Sequence, residues 1–396
     1  MVDYRPLPDD RTEEFRSFVT YAFRPESGPH DPDEDDIPEP AQVGDPYGVF
    51  DGDDLLAVCR HYWFTAHVRG DTHPMAGLSA VATPPENRRR GLVRDMLLES
   101  LREYRENDVY LSALWPFKHP FYAQFGWETA SDGVTHECPP DALSFARDAE
   151  LPGTWDRLDA DDWERLPAIL ASHGERYELT LDRTEEWWRK RVFRGWDTDP
   201  YVYCWQDATG ADRAYVVYSV ESGDGKTLAV HDAAWTDHDA YLAVLGFLAD
   251  HDSQVDTVRL RGPVDSPFLD VVPDPGEVDT TLSAGPMARI VDVPTALTAL
   301  NYPDVDADLT IAVTDELADW NDDTFHLTVR DGTSRVEPTT EGSDLTLDIG
   351  TLTQLAVGHR TAHDLARTTD IDTDDTTLDT LHTLYPETTT YLREGF

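Results

Sequence analysis

Lysine is nearly absent. The 396-residue chain holds three, Lys118, Lys190 and Lys226, within 32 basic residues set against 78 acidic ones, for a formal net charge of −46. A balance this negative argues against nucleic acid as a partner, because phosphate backbones are bound through basic footprints. Cysteine is scarce too. Cys59, Cys138 and Cys204 are odd in number, far apart and without Cys-x-x-Cys spacing. That pattern suggests neither a disulfide framework nor a zinc site. The three read as small buried hydrophobes in a reducing cytosol. Long apolar runs are missing: the longest, Tyr241–Ala249, falls far short of the roughly 20 residues that span a bilayer. The N-terminus is acidic and lacks an apolar signal region. A cytoplasmic protein without a membrane partner is expected.

What is present is enough for real cores, with 40% hydrophobic and 10% aromatic residues. The length suggests two or three domains. Acid is spread along the chain rather than gathered in a tail. The pattern resembles proteins of halophiles that accumulate salt, where a Debye length of about 3 Å at 1 M screens self-repulsion.

Strands and helices alternate. Residues 9–23 spell an amphipathic helix with Phe15, Phe18, Val19 and Phe23 on one stripe. A Pro- and acid-rich loop follows, then two strands joined at Gly70–Asp71, a helix from about Gly91 to Glu106, a short buried strand at 109–114, and a short helix in "HPFYAQFG" ending at Gly126. A second unit near Pro152 repeats the strand–helix order, but after its strands the chain reads "TDHDAYL", with no arginine or glycine. A third begins near Ala288. Its tail looks low in complexity, yet Leu378, Leu381, Leu384 and Tyr385 recur at helical spacing, which predicts a packed helix.

Positive charge concentrates at one point, "VATPPENRRRGLV". The order is strand, short loop, glycine, helix. A helix start offers unpaired N–H groups and partial positive charge. Glycine admits close approach, and arginine supplies forked donors suited to phosphate. Exposed cations there oppose the helix dipole by roughly 0.3–1 kcal/mol each, so a compensating anion is expected.

This stretch resembles the acetyl-coenzyme A loop of the GNAT acetyltransferases, Arg/Gln-x-x-Gly-x-Gly/Ala. Arg88 and Gly91 fit, while Val93 stands where glycine or alanine is usual. Together with "FYAQFGW" and "DELADWNDDTFHL", it is similar to the Eis (enhanced intracellular survival) family. The resemblance implies an α/β fold with mixed sheets: two tandem GNAT-like domains, catalytic at 1–147 and degenerate at 148–288, followed by a sterol-carrier-protein-like α+β domain at 289–396. It implies acetyl-coenzyme A as cosubstrate and no metal. Val81 and Thr83 match strand positions that bond the pantetheine arm, and Arg88, Arg89, Arg90, Gly91 and Leu92 match the pyrophosphate loop. Tyr122 matches the tyrosine that protonates the departing thiolate, and Phe396 the terminal residue whose carboxylate acts as general base. The acceptor would be a small-molecule or lysine amine, and the assembly a homo-hexamer.

Aminolysis of a thioester uses such groups. A carboxylate can remove the amine proton, and a tyrosine near pKa 10 is correctly protonated to assist a thiol near 8.5. Without the resemblance, Tyr122 reads as a core tyrosine and Phe396 as a frayed end. The alternative function is a non-catalytic coenzyme A-responsive or lipid-binding module of the same fold. Tyr62, Trp63 and Phe64 either border the acceptor pocket or pack the core. The acidic loop Asp31–Glu39 either attracts a polycation or is background acid. His359 and His363 stand at i, i+4 on an expected helix, but no His-Glu-x-x-His pattern accompanies them.

Overall fold

The turn between two long strands shows how local sequence sets this fold. Arg69 and Gly70 both take positive φ (51° and 77°), and Val68 pairs with Asp71. This is the two-residue hairpin whose twist matches that of its strands. It joins β3 (Asp54–Val68) to β4 (Asp71–Ala82). The computed structural model describes residues 2–29, 37–149 and 151–396, so Asp31–Asp36 of the acidic loop lie outside the described residues.

Two compact units emerge, and they do not follow chain order. One gathers Gly44–Ser131 and Gly285–Phe396 with the N-terminal segment; the other comprises Ile37–Val43 and Asp132–Ala284. In the first, β1 (Asp3–Pro6), α1 (Thr12–Phe23) and β2 (Asp45–Asp51) precede the hairpin. After it come α2 (Leu92–Glu106), β5 (Leu111–Leu114), α3 (His119–Ala123) and β6 (Glu128–Thr129). The strand order runs β1–β2–β3–β4–β5, then Met287–Ile290, then β6. In this sheet β4 and β5 pair in parallel, from Met75↔Leu111 to Gly77↔Ala113. Beyond Gly77, β4 continues to Ala82 without β5, so the two strands part. A bulge at Ala80 (φ 51°) shifts the β3–β4 register in the same stretch.

Helix α2 covers one face of this sheet, burying Met96, Leu97, Leu101 and Tyr104 against Tyr47, Cys59, Ala76 and Leu78. Helix α1 covers the other, Phe15 with Phe18 and Val19 meeting Phe50, Leu55 and Val58. Phe23 is 56% exposed, contrary to the expected stripe. Ala22 takes the i+7 position from Phe15 and packs inward instead.

In the same unit a five-stranded sheet runs Thr333–Pro338, Thr324–Arg330, Ala307–Thr314, Leu345–Asp348, Asp372–Thr373. The tail forms the expected helix, Asp375–Leu384, with Leu381 and Leu384 buried.

The second unit is built on strands ordered Asp279–Ala284, Asp132–Cys138, Thr257–Pro263, Gly225–Trp235, Asp212–Gly223, Tyr201–Asp207, Gly153–Arg157. Among the described residues, a parallel pairing joins Thr227–Val230 to Thr257–Leu260. Helix His238–Ala249 packs Val244, Leu245 and Leu248 against that sheet.

Candidate active site

The loop after β4 is shaped by its prolines and by two left-handed residues. Pro84 opens a 3₁₀ turn at Pro85–Asn87. Arg89 (φ 60°) and Gly91 (φ 83°) then turn the backbone sharply into α2. The first helical bond runs from Asp95 N–H to the Gly91 carbonyl, at 3.1 Å. No side chain caps the helix start, so the N–H groups of its first turn remain available to an anion. A Cβ at Gly91 would meet open space; glycine is needed there for its φ alone.

The arginines are exposed. Arg88 Nε donates to the Thr83 carbonyl at 2.9 Å, and Arg90 donates to Asn87 Oδ1 at 2.8 Å. Among the described residues none of Arg88, Arg89 and Arg90 pairs with a carboxylate. Elsewhere arginines are engaged: Arg105 with Asp292, Arg165 with Asp212, Arg259 with Glu137. The Thr83 hydroxyl is buried without a hydrogen-bond partner, an unmet polar group where β4 enters the loop. Uncapped N–H groups, unpaired guanidinium groups and an orphaned hydroxyl together fit a diphosphate and its polar arm. Val93 sits half-buried and packs against the core, which turns its bulk away from the loop mouth.

Tyr122 lies on the five-residue α3, buried and edge-on to Phe117 (5.7 Å) and Phe121 (5.1 Å). Its hydroxyl has no hydrogen-bond partner among the described residues. Burial, with a smaller contribution from the Cys59 thiol, holds its pKa above the usual tyrosine range.

Phe396 rests on Gly77, the last β4 residue paired to β5. A Cβ at Gly77 would lie 2.8 Å from Phe396 Cε2 and 2.6 Å from Phe64 Cε2, so the missing side chain makes the seat. The Phe396 ring stands 5.0 Å from Phe64 and 5.6 Å from Tyr62. The segment leading to it is tied down: Trp115 Nε1 donates to the Glu394 carbonyl at 2.8 Å, and Ser131 Oγ to the Thr390 carbonyl at 3.1 Å. Tyr62 and Phe64 thus line the seat of Phe396. Trp63 points to the other face, its indole N–H donating to Asp45 at 2.7 Å.

Sequence reasoning missed a buried polar group beside this site. The Tyr4 hydroxyl meets His61 Nε2 (2.9 Å), Ser100 Oγ (3.0 Å) and Cys59 Sγ (3.6 Å). Burial pulls His61 down to about 3 and pushes the Cys59 thiol up to about 12, so both are neutral and the thiol is unreactive. All three cysteines are free and buried. No local signal marks this cluster, because its members come from β1, β3 and α2. His359 and His363 do not share a helix. Gly358 (φ 80°) ends one after Ala356, and Thr361 caps the next. His359 bonds Thr390 Oγ1 at 3.0 Å, and His363 pairs with Asp379. No helix among the described residues is long and apolar enough to cross a membrane.

A parallel strand pair that splays beside a loop and an uncapped helix start defines a GNAT-type acyltransferase. Models of a GNAT acetyltransferase domain match residues 3–130 and 179–290, and a sterol carrier protein domain model matches residues 293–393. The N-acetyltransferase Eis of Mycobacterium tuberculosis is 30% identical over 77% of this chain and 76% of its own. An uncharacterized N-acetyltransferase of Streptomyces avermitilis is 28% identical over 92% and 91%. Among solved structures, a probable N-acyltransferase from Enterococcus faecalis superposes with TM-score 0.89 at 22% identity, and Eis1 from Mycobacterium abscessus with 0.74 at 24%, each covering all of both chains. The chain belongs to the Eis family of GNAT N-acetyltransferases. Its architecture is two GNAT domains followed by a sterol-carrier-protein-like domain.

Proposed function

We propose that this enzyme transfers the acetyl group of acetyl-coenzyme A directly to an amine: a polyamine, a lysine side chain or an aminoglycoside-like molecule. The observation that carries this is the seat of Phe396 on Gly77, where β4 and β5 part. The proposed division is catalytic 1–147, degenerate 148–288 and sterol-carrier-like 289–396. The protein is proposed to be cytoplasmic, salt-adapted and homo-hexameric.

In this mechanism the pyrophosphate is held by Arg88, Arg89, Arg90 and the backbone of Gly91 and Leu92. Val81 and Thr83 receive the pantetheine arm along the free edge of β4. The amine nitrogen attacks the thioester carbonyl and the C–S bond breaks. The Phe396 carboxylate takes the amine proton, directly or through water. Tyr122 donates to the sulfur. Full transfer from a phenol above pKa 10 to a thiolate near 8.5 is uphill, and burial makes it more so. The Tyr122 hydroxyl therefore stabilises the leaving sulfur as a hydrogen-bond donor while charge builds.

The test is coenzyme A release in molar KCl from untagged protein against an amine panel. Turnover with at least one amine is expected. Binding of acetyl-coenzyme A with no amine turned over would point instead to a coenzyme A-responsive or lipid-binding module.

A further inference from the structure

Helix α3 has only five residues, too few to hold itself in place. What holds it is backbone. The Tyr122 carbonyl accepts from Phe125 N–H (2.9 Å) and Trp127 N–H (3.3 Å). The next link is a side chain from far along the chain. Arg289, on the strand inserted between β5 and β6, is fully buried. Its guanidinium donates to the Phe125 carbonyl and to the Asp315 carboxylate. It also lies 5.2 Å from the Trp127 ring centroid.

Asp315 is held in turn by three donors: Leu317 N–H (3.0 Å), Ala318 N–H (3.0 Å) and Asn321 Nδ2 (3.2 Å). Asn321 then grips the backbone of Val291 and Val293. Gly126, at φ 83°, leaves the space that the guanidinium fills; a Cβ there would collide with Arg289 and Ile349. This is where the "DELADWNDD" stretch acts. A buried ion pair is weak support for stability, since apolar residues of like size often do as well. This one ends on the main chain of the segment that carries Tyr122.

We infer that Arg289 and Asp315 are positioning residues, which clamp the Phe125–Trp127 turn and so place the Tyr122 hydroxyl for transfer. The inference rests on the proposed role of Tyr122. Misplacement of a reacting group by about 1 Å can lower turnover about 10²-fold. Loss of the clamp should do that while leaving the arginine loop intact.

The test is a cycle of three variants of the full chain in molar KCl: Tyr122→Phe, the apolar pair Arg289→Met with Asp315→Leu, and all three substitutions together. The expected result is a kcat about 10²-fold lower in the apolar pair, with the acetyl-coenzyme A KM within about threefold of the parent. In the Tyr122→Phe background the apolar pair should lower kcat no further. If the apolar pair does not fold, Arg289→Lys takes its place in the cycle. It keeps the charge and loses the fork, so it should show a smaller loss with the same non-additivity. Wild-type kcat in the clamp variants, or an equal further loss in the Tyr122→Phe background, overturns the clamp alone. Wild-type kcat in Tyr122→Phe overturns the role of Tyr122 as donor to the leaving sulfur, and the clamp with it.

Discussion

The two GNAT domains offer the same strand frame and opposite helix starts. Each carries a parallel strand pairing, Met75–Gly77 with Leu111–Ala113 in the first and Thr227–Val230 with Thr257–Leu260 in the second. After the first comes an uncapped α2 with Gly91 left-handed and three arginines free of carboxylates. After the second comes a helix sealed by Asp237, whose carboxylate accepts from Ala240 N–H at 2.9 Å and also receives Arg213. A capped helix start has spent one of its N–H groups and holds negative charge where a phosphate would sit. On the proposed reading, the handful of residues between strand and helix, and not the strand frame, makes the coenzyme A site.

Three variants separate the roles of the two domains. The largest effect is expected at the chain end. Deleting Phe396, or extending the chain beyond it, should lower kcat about 10²-fold or more, the scale of a lost general base, with coenzyme A affinity little changed. Steady-state kinetics and calorimetry on the same samples check this, and unchanged turnover would refute the terminal base. Next is Arg88→Ala with Arg89→Ala. Charge-assisted contacts are worth about 1.5–3 kcal/mol each, so the acetyl-coenzyme A KM should rise at least about tenfold, more than kcat falls. The reverse split would mean that the loop is not the pyrophosphate cradle. Smallest is Asp237→Ala, which should lower stability by about 1 kcal/mol through the lost cap and leave turnover alone. Thermal melts beside initial rates read both, and a fall in turnover without a change in Tm would give the second helix start a catalytic part.

Short-range order was legible in the residues themselves. The strand–loop–glycine–helix order around Arg88–Gly91, the short helix of Tyr122 and the helix of Leu381 and Leu384 all carry local signals of period, breaker and charge. Long-range pairing was not. Met287–Ile290 joins the first sheet between β5 and β6, some 170 residues from its partners, and nothing in four residues announces which sheet they enter. Arg289 accordingly reads in sequence as the start of a third unit, not as a group reaching the Phe125 carbonyl. The seat at Gly77 escaped notice for the same reason, since a glycine inside a strand signals close approach without naming what approaches.

We propose that coenzyme A binds once per chain, at the uncapped start of α2. Calorimetric titration of coenzyme A into the enzyme in molar KCl is the decisive measurement. One site per chain is predicted, weakened at least about tenfold by Arg88→Ala with Arg89→Ala and untouched by Asp237→Ala. Two sites per chain, or one that ignores the loss of both arginines, would contradict it.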